Sequence, residues 1–184
     1  MIITDIKEAD IYQVLEIYRP YITDTRITFE YEAPDLETFT ERVRHYTEQF
    51  PWLVAKDGKK VRGYSYASVY RGRLAYQWDC ELSVYVDRDC RGQGIGKRLY
   101  TKLLEILTRQ GYYNAYGVIA LPNENSVRLH ENLGFKLEGV QKNSGFKAGK
   151  WVDVAFYTKA LRTFDTPLKA PVPYPELLKD HPFK

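Results

Sequence analysis

The segment RGQGIGKRLY, residues 91–100, carries the clearest chemical signal in the sequence. Its glycines, Gly92, Gly94 and Gly96, stand immediately before a helical pattern. Glycines let a backbone approach an anion closely, and the N–H groups at the start of a helix point toward that anion with the positive end of the helix dipole behind them. The segment therefore indicates either a loop that holds a diphosphate or a glycine-rich turn that only connects a strand to a helix.

Two well-known phosphate-binding motifs do not match this loop. A P-loop needs GxxxxGK[ST], whereas three residues separate Gly92 from Gly96 here, and Lys97 is followed by Arg98. A dinucleotide motif needs GxGxxG early in a βαβ unit, whereas these glycines alternate and follow a predicted antiparallel hairpin near mid-chain. The spacing by itself leaves both interpretations of the loop open.

A strand before the loop and a helix after it must position the glycines. The pattern LAYQWDCELSVYV predicts a strand over residues 74–86. After the loop, leucines and isoleucines on one face predict a long helix that Gly111 ends, and NAYGVIA then predicts a buried strand. The segment NENSVRLHENLGF predicts a shorter helix that Gly134 ends.

The same reasoning predicts the flanking elements. Apolar periodicity indicates two helices near the amino end, and a turn signal between two strand patterns indicates a hairpin. The predicted elements are a strand at 2–6, a helix that Pro20 ends, a helix that starts at Pro34 and Asp35, a hairpin that turns at Asp57 and Gly58, and strands at 137–140 and 152–158.

We expect one domain, residues 1–162, followed by a proline-rich tail, residues 163–184. The chain of 184 residues has the usual size of one domain and shows no internal repeat. The tail holds five of the nine prolines and has no sustained hydrophobic periodicity. The tail is therefore predicted to be extended.

Composition and charge argue against several classes of protein. The formal net charge is +3, and basic residues are interspersed with acidic ones, which disfavours a nucleic-acid binder. No apolar run approaches the roughly 18 residues of a membrane span, and the amino end lacks the features of a signal peptide. Cys80 and Cys90 match no metal or disulfide spacing. We therefore expect a cytoplasmic protein with reduced thiols, no metal, and no membrane or nucleic-acid partner.

Two longer segments, VYVDRDCRGQGIGKRLYTKLL and NENSVRLHENLGF, together resemble the signature segments of the GCN5-related N-acetyltransferase (GNAT) superfamily. In that family an R/QxxGxG/A loop follows a central strand and binds the pyrophosphate of acetyl-CoA. Arg91, Gly94 and Gly96 match that loop in order. The resemblance covers residues 2 to about 161 and implies that the loop holds the diphosphate of acetyl-CoA.

A narrower resemblance points to one branch of the superfamily. The segments ITFEYEAP, PWLVA, AYQWDCELSVYV, LPNENSVRLHENLGF and GFKAGKWVDVAF look like the phosphinothricin and methionine sulfoximine acetyltransferases. The resemblance implies an α+β fold of three layers, in which helices flank a mixed, mostly antiparallel central sheet. It also implies acetyl-CoA as the cosubstrate, a small-molecule amine as the acceptor, and a homodimer.

Acetyl transfer from a thioester to an amine requires a deprotonated amine, a polarised carbonyl and a proton for the departing thiolate. In the resembling branch, the position of Glu81 carries the general base; the alternative is a strand glutamate that faces solvent. His130 stands where many members of the superfamily have a tyrosine that protonates the thiolate, and the narrower branch also has histidine there. A lone histidine on a helix is otherwise structural.

The resemblance also assigns the contacts of the cofactor and the acceptor. The strand before the loop is expected to pair through its backbone with the pantetheine arm, as an added strand would. The expected cofactor contacts are Val84, Tyr85, Val86, Arg91, Gly92, Gln93, Gly94, Ile95, Gly96, Lys97 and Asn125. Asn125 would otherwise cap its helix together with Ser126. Phe29 and Arg73 match positions that line the amino-acid pocket, where a guanidinium can clamp an α-carboxylate. Arg71 competes for that clamp, and Tyr76 is a candidate wall of the pocket.

The expected reaction is acetylation of the α-amine of a small amino acid or analogue, such as methionine sulfone or sulfoximine. Val152 and Glu30 depart from the herbicide-specialised members, which have histidine and a basic residue there, so phosphinothricin itself is in doubt as the acceptor. A peptide N-terminal acetyltransferase and a non-catalytic CoA-binding sensor are the alternatives.

Overall fold

Seven strands form one sheet in the computed structural model, which describes residues 1–164 and 169–180. The strands are β1 (Ile2–Asp5), β2 (Trp52–Asp57), β3 (Lys60–Val69), β4 (Asp79–Val86), β5 (Asn114–Ala120), β6 (Lys136–Lys147) and β7 (Lys150–Ala160). The helices in the described ranges are α1 (Ile11–Thr23), α2 (Leu36–Thr47), α3 (Ile95–Gln110), α4 (Glu124–Asn132) and α5 (Tyr174–Asp180).

The strands lie in the order β1-β2-β3-β4-β5-β7-β6. Every neighbouring pair is antiparallel except β4 and β5, which run parallel. Side chains of a strand alternate between the two faces of a sheet. Trp52 and Val54 accordingly pack beneath α1 and α2, whereas Leu53 and Ala55 pack with α3 on the opposite face. This arrangement confirms the expected mixed, mostly antiparallel sheet with flanking helices.

The local signals for the helix ends and the hairpin turn are also confirmed. The Asp35 carboxylate accepts a hydrogen bond from the Thr38 backbone N–H at 2.8 Å and so caps α2. Gly111 follows α3 with a φ of 103°, a conformation that favours glycine. Strands β2 and β3 pair around the turn at Gly58, whose φ is 58°. These signals lie within a few residues of the feature that they specify, which is why they can be read along the chain.

Three predicted boundaries are wrong. The strand predicted at 137–140 continues to Lys147, where it pairs with Lys150 at the end of a long hairpin. Helix α1 does not end at Pro20 but continues to Thr23, because a proline removes only its own N–H donor and the Asp24 N–H still reaches the Pro20 carbonyl. The strand predicted over residues 74–86 begins only at Asp79, since Leu74–Tyr76 forms a short 3₁₀ turn. The residues of that turn are aromatic and apolar, which is typical of a strand. Their exposure to solvent, which the sequence does not reveal, distinguishes the turn from a buried strand.

The tail is not wholly extended as predicted, because Tyr174–Asp180 forms α5. The Tyr174 side chain is buried, and its hydroxyl donates to the Asp5 carboxylate at 2.7 Å. The Gln110 side chain joins this segment to the domain by donating to the backbone carbonyl of Val172 at 2.8 Å. Long-range contacts of this kind order a proline-rich segment that has no periodicity of its own. Residues 165–168 and 181–184 of the predicted tail lie outside the described residues, and the boundary at 162 remains a prediction.

Candidate active site

A gap between β4 and β5 is the central feature of the site. The two strands pair in parallel from Asp79 opposite Asn114 to Glu81 opposite Tyr116, and there the pairing stops. Beyond that point each strand pairs only with its outer neighbour. The backbone groups of Val84 therefore lack a partner strand on the side of β5, and they can pair with an extended ligand.

A cavity of about 60 Å³ lies inside this gap. It runs through the sheet, since Ile27 lines it on the side of α1 and α2, and His130 lines it on the side of α3 and α4. On the first of these faces the cavity adjoins a wider cleft of about 540 Å³, which shares Ile27 and Ala120 with it. An extended ligand in the gap would thus meet a second molecule that approaches across the cleft.

The glycine loop follows β4 and leads into α3. Gly92 and Gly94 have φ angles of 78° and 75°, so other residues would be strained there. Gly94 is the residue before α3, and no side chain caps that helix. A Cβ added at Gly94 would meet no atom within 4 Å, so the loop presents an open backbone surface. The uncapped N–H groups and the helix dipole fit the diphosphate of acetyl-CoA.

Gly96 has a packing role beside this loop. A Cβ at Gly96 would lie 3.4 Å from the Leu129 side chain and 3.8 Å from those of Val84 and Val86. The first turn of α3 is thus held close to both β4 and α4. The helix start, the free edge of β4 and α4 therefore meet at one place, as the predicted cofactor contacts require.

Several predicted cofactor residues take part through packing. The Arg91 guanidinium lies 4.9 Å from the centre of the Tyr21 ring. The Tyr21 hydroxyl binds both backbone groups of Val86, at 2.7 Å to the carbonyl and 3.2 Å to the N–H. The Tyr85 ring stacks in the core beside α1, and the Ile95 side chain is buried beneath the loop. Their backbones border the gap while their side chains support it.

The remaining predicted contacts are exposed. Gln93 lies in the loop and Lys97 lies in the first turn of α3, and both side chains are exposed. Asn125 was expected either to contact the cofactor or to cap α4, and the second of these expectations is wrong. Asn123 caps the helix instead, accepting a hydrogen bond from the Ser126 N–H at 3.3 Å. The Asn125 side chain accepts a hydrogen bond from Arg128 at 3.2 Å.

Glu81 lies at the end of the parallel pairing, on the face toward α1 and α2. Its side chain is partly buried, and this burial raises the pKa of the carboxyl above its ordinary value of 4.5. Its paired neighbour Tyr116 is on the same face, and burial is the main cause that raises the pKa of that phenol to about 12. Glu81 is therefore a carboxylate of increased basicity beside the opening of the gap.

His130 lies on α4 and is 2% exposed. Its Nδ1 is 2.8 Å from the Ser126 backbone carbonyl, and because a carbonyl only accepts hydrogen bonds, Nδ1 carries the proton. The Nε2 atom, which is left with a lone pair in the neutral ring, has no partner within the described residues. The ring packs so closely on Gly117 that a Cβ there would lie 2.3 Å from Nε2. Burial lowers the pKa of His130, which favours the neutral ring.

Tyr100 was missed by the sequence reasoning. It lies on α3 with 1% of its surface exposed, and it lines the cavity in the gap. Its ring meets the His130 ring edge-on, with 5.3 Å between the ring centres. The sequence could have identified Tyr100, because it is a tyrosine among the leucines on the buried face of the helix. Its position carries one hydroxyl toward the sheet.

Aromatic contacts connect Arg71, through Tyr70, to Tyr116, the residue that pairs with Glu81. Tyr116 stacks on Tyr70 with 3.8 Å between the ring centres and 2° between the planes. The Arg71 guanidinium lies 5.1 Å from the Tyr70 ring centre and 5.2 Å from that of Tyr76, and it donates to the Tyr76 hydroxyl at 3.3 Å. These contacts link Arg71 to the residue that pairs with Glu81.

Arg73 is placed differently. It stands immediately before the 3₁₀ turn Leu74–Tyr76 and is exposed. Its guanidinium makes no hydrogen bond or ion pair with any residue between 1 and 164 or between 169 and 180. The structure therefore orders one of the two candidate clamps and leaves the other free to move.

Phe29 lies in the loop between α1 and α2 and rests on the β6–β7 hairpin. A Cβ at Gly145 would lie 2.4 Å from its ring, so only glycine leaves room for this contact. The buried Lys147 strengthens the contact by donating to the Thr28 carbonyl at 2.6 Å. Phe29 is 38% exposed, and one side of its ring remains available to a ligand.

The two departures from the herbicide-specialised pattern are structural here. Glu30 accepts hydrogen bonds from Arg42 at 2.6 Å and from the Tyr18 hydroxyl at 3.1 Å. Val152 is 3% exposed and presents no polar group to the site. An acceptor therefore finds neither a cation at residue 30 nor an imidazole at residue 152.

Two further observations concern ligands and membranes. In residues 1–164 and 169–180, no group of three or more histidine, cysteine, aspartate or glutamate side chains is arranged to hold a metal ion. Among the helices of the same ranges, none is long and apolar enough to cross a membrane.

Comparison with known proteins gives the family and several relatives. The family model of the acetyltransferase (GNAT) domain matches residues 3–156. The phosphinothricin N-acetyltransferase of Streptomyces viridochromogenes is 36% identical over 159 residues, covering 86% of this chain and 85% of that protein. The L-methionine sulfoximine/L-methionine sulfone acetyltransferase of Pseudomonas aeruginosa is 33% identical over 159 residues, covering 84% and 91%.

A solved structure is similar over nearly the whole chain. It is a GNAT superfamily phosphinothricin acetyltransferase from Sinorhizobium meliloti in complex with AcCoA. The TM-score is 0.87 and the sequence identity is 33%, and the match covers 94% of this chain and 97% of that one.

Proposed function

Because this chain belongs to the GNAT acetyltransferase family, we propose that it transfers the acetyl group of acetyl-CoA to the α-amine of a small amino acid or analogue. The observation that carries this proposal is the position of Glu81. A partly buried carboxylate stands where β4 and β5 separate, next to a glycine loop that suits a diphosphate. The relatives named for acetylation of phosphinothricin and methionine sulfoximine support the choice of acceptor class.

Acetyl-CoA would lie along the free edge of β4. Its diphosphate would bind the N–H groups at the start of α3, and its pantetheine arm would pair with the backbone of Val84. This pose brings the thioester into the gap between the strands. A backbone N–H of β4 would then polarise the thioester carbonyl.

Glu81 would act as the general base. An ammonium has no lone pair, so one proton must leave the acceptor before it attacks the thioester. A carboxylate with an ordinary pKa is a weak base for this purpose, and burial strengthens Glu81 by raising its pKa. The proton passes to Glu81 directly or through one water molecule.

Arg71 would hold the α-carboxylate of the acceptor, and Phe29 and Tyr76 would line the pocket. A guanidinium binds a carboxylate with two parallel hydrogen bonds, which orients the amine attached to the neighbouring carbon. Arg71 is already ordered between Tyr70 and Tyr76. Arg73 is the second candidate and would have to become ordered when the acceptor binds.

We also propose that the enzyme is a homodimer, as the resemblance implies. An exposed apolar pair on the β6–β7 hairpin supports this proposal, since Phe146 is 48% and Trp151 is 64% exposed with 5.3 Å between their ring centres. Sedimentation velocity at micromolar concentration tests it, and a single monomeric species would contradict it.

The first test of function is CoA release from acetyl-CoA across a panel of acceptors. The panel holds methionine sulfone, methionine sulfoximine, phosphinothricin, the standard amino acids and short peptides. Turnover confined to free amino acids and analogues is the expected result, because a peptide offers no α-carboxylate beside its terminal amine. Turnover only with peptides, or none with any amine despite binding of acetyl-CoA, would contradict the proposal.

A further inference from the structure

We propose that Tyr100 donates the proton that the CoA sulfur takes up when the acetyl C–S bond breaks. This assignment rests on the proposed function, since it names a second catalytic residue for the same reaction. It is carried by three observations: the position of Tyr100 in the gap, the unbonded state of its hydroxyl, and the tautomer of His130.

The first observation is the position of Tyr100. Its side chain reaches from α3 into the cavity between the separated strands, opposite Leu82 and Ser83 of β4 and Ile119 of β5. The thioester of acetyl-CoA would lie in this cavity when the diphosphate occupies the start of α3. Glu81 lies on the strand that borders the cavity and acts on Tyr100 electrostatically. The phenol and the carboxylate thus approach the gap from opposite faces of the sheet.

The second observation is the state of the Tyr100 hydroxyl. It makes no hydrogen bond with any residue in the part of the chain that the structure describes, although the residue is almost fully buried. Three other buried tyrosines have partners, since Tyr21 binds Val86, Tyr112 binds Gln49, and Tyr174 binds Asp5, whereas Tyr64 has none within the described residues. Tyr100 differs from Tyr64 because it lines the cavity, where a ligand can supply the missing partner. The hydroxyl of Tyr100 is therefore available to a group inside the cavity.

The third observation concerns His130, which lines the cavity from α4 together with Ser126. Its proton is on Nδ1, where it is bonded to the Ser126 carbonyl, and its Nε2 has only a lone pair. A neutral imidazole in this tautomer cannot give a proton to a thiolate through Nε2. The geometry thus favours a structural role for His130 over the predicted acid role, and it leaves Tyr100 as the donor.

The proton balance closes with these two groups. The ammonium first loses one proton through Glu81 to solvent. The amine nitrogen then forms a bond to the acetyl carbon, and the emptied Glu81 accepts the second proton that the nitrogen loses. The C–S bond then breaks, the sulfur keeps the electron pair, and the Tyr100 hydroxyl gives that sulfur its proton. The phenolate recovers a proton from the protonated Glu81, so both residues return to their initial states and no redox partner is needed.

The test is the variant Tyr100→Phe, which keeps the ring against His130 and removes only the hydroxyl. We expect kcat to fall by roughly 100-fold or more, the usual contribution of a positioned acid. The KM values for acetyl-CoA and the acceptor, and the dissociation constant of acetyl-CoA, should stay within about twofold, because packing is preserved.

The matched control is Tyr112→Phe. Tyr112 is also buried and its hydroxyl has a hydrogen bond to Gln49, yet it lies beyond the far end of α3. We expect kcat of this variant to stay within about twofold of the wild type. A kcat for Tyr100→Phe within twofold of the wild type overturns the assignment. A loss of kcat accompanied by an equal loss of acetyl-CoA affinity also overturns it, because that result would indicate that Tyr100 acts only through packing.

A second measurement applies if Tyr100→Phe does not fold. A fluorinated tyrosine at position 100 keeps the ring and the hydroxyl but makes the phenol a stronger acid. The titratable groups that face Tyr100 are Glu81, Tyr66, Tyr85 and His130, and all four are unchanged in the fluorotyrosine protein. Because the rate of proton donation depends on the acidity of the donor, kcat at constant pH should change as the number of fluorine atoms on the ring increases. A kcat that does not depend on fluorination overturns the assignment.

These outcomes separate the two proposals. Absence of turnover by the wild type with every amine overturns the proposed function and the role of Tyr100 together. Normal turnover by the wild type with normal turnover by Tyr100→Phe overturns only the proton donor.

Discussion

The two sides of the β4–β5 gap are built by different means. The proposed cofactor side consists of backbone groups from one continuous stretch, the end of β4 and the glycine loop that leads into α3. The proposed acceptor side consists of side chains from elements far apart in the sequence, including Phe29, Arg71 and Glu81. We therefore expect acetyl-CoA binding to depend mainly on backbone conformation and acceptor use to depend mainly on individual side chains.

The two sides also differ in how they are held rigid. Glycines with positive φ and close packing of Gly96 shape the cofactor side. Stacked rings shape the acceptor side. The ring centres of Tyr116 and Tyr70 lie 3.8 Å apart, and the Arg71 guanidinium packs on the Tyr70 ring. Each residue of this stack can be substituted separately. Such substitutions can change acceptor specificity while acetyl-CoA binding is retained.

The largest effect expected on the acceptor side comes from Glu81→Gln. Loss of the base should lower kcat by roughly 100-fold to 10,000-fold while the dissociation constant of acetyl-CoA stays unchanged. Steady-state kinetics and calorimetric titration with acetyl-CoA check both quantities. The control Glu41→Gln changes an exposed glutamate on α2 and should have no effect. An unchanged kcat in Glu81→Gln would remove Glu81 as the base.

The opposite pattern is expected for Gly94→Val on the cofactor side. A β-branched residue cannot adopt the φ of 75° without strain, so the loop must shift and its N–H groups lose their alignment. The dissociation constant of acetyl-CoA should rise by roughly tenfold or more, as expected when hydrogen bonds to a charged group are lost. Titration calorimetry measures it. Gly139→Val is the control, since Gly139 has ordinary φ and open space around it. Unaltered affinity would contradict the loop assignment.

A smaller effect should distinguish the two arginines. Arg71→Ala should raise the acceptor KM by about 10-fold to 100-fold and leave the acetyl-CoA KM unchanged, because it removes a charged hydrogen-bonding partner. Arg73→Ala should raise the acceptor KM less, since no hydrogen bond or ion pair with the described residues positions its guanidinium. Comparison of a free amino acid with its amide checks the mechanism, as the amide should lose the sensitivity to Arg71. A larger effect of Arg73→Ala would move the clamp to Arg73.

The smallest expected effect concerns stability. Burial raises the pKa of Glu81, so the ionised carboxylate destabilises the folded state above that raised pKa and has no such effect below the ordinary value of 4.5. Glu81→Gln should therefore raise Tm near neutral pH, by about 2–4 °C for each kcal/mol recovered, and the gain should vanish near pH 4. Thermal unfolding followed across pH measures this. A gain that is equal at both pH values would contradict the assigned cause.

Prediction from the sequence was most successful where the signal is local. The cap at Asp35, the end of α3 at Gly111 and the glycine loop are specified by residues adjacent to the feature itself. The continuation of α1 past Pro20 and the ordering of α5 could not be predicted, because contacts with distant residues decide them. Contacts between residues that are distant in the sequence leave no periodic pattern in it.

The functional residues divide in the same way. Resemblance to a family pointed to Glu81 and His130 without showing what surrounds them. The tautomer of His130 depends on the Ser126 carbonyl, and the part played by Tyr100 depends on a cavity that exists only when β4 and β5 separate. The choice between Arg71 and Arg73 likewise follows from Tyr70 and Tyr76 rather than from spacing.

The sequence by itself determined the family, the kind of cosubstrate that the glycine loop suits, and the approximate order of strands and helices. It could do so because a positive φ at glycine and the open N–H groups of a helix start are properties of neighbouring residues. Only the tertiary structure decided which side chains face the reacting centre, and how burial alters their acidity. Those properties depend on solvent exclusion by elements that meet across the sheet, and the desolvation of a group is not encoded in the residues beside it.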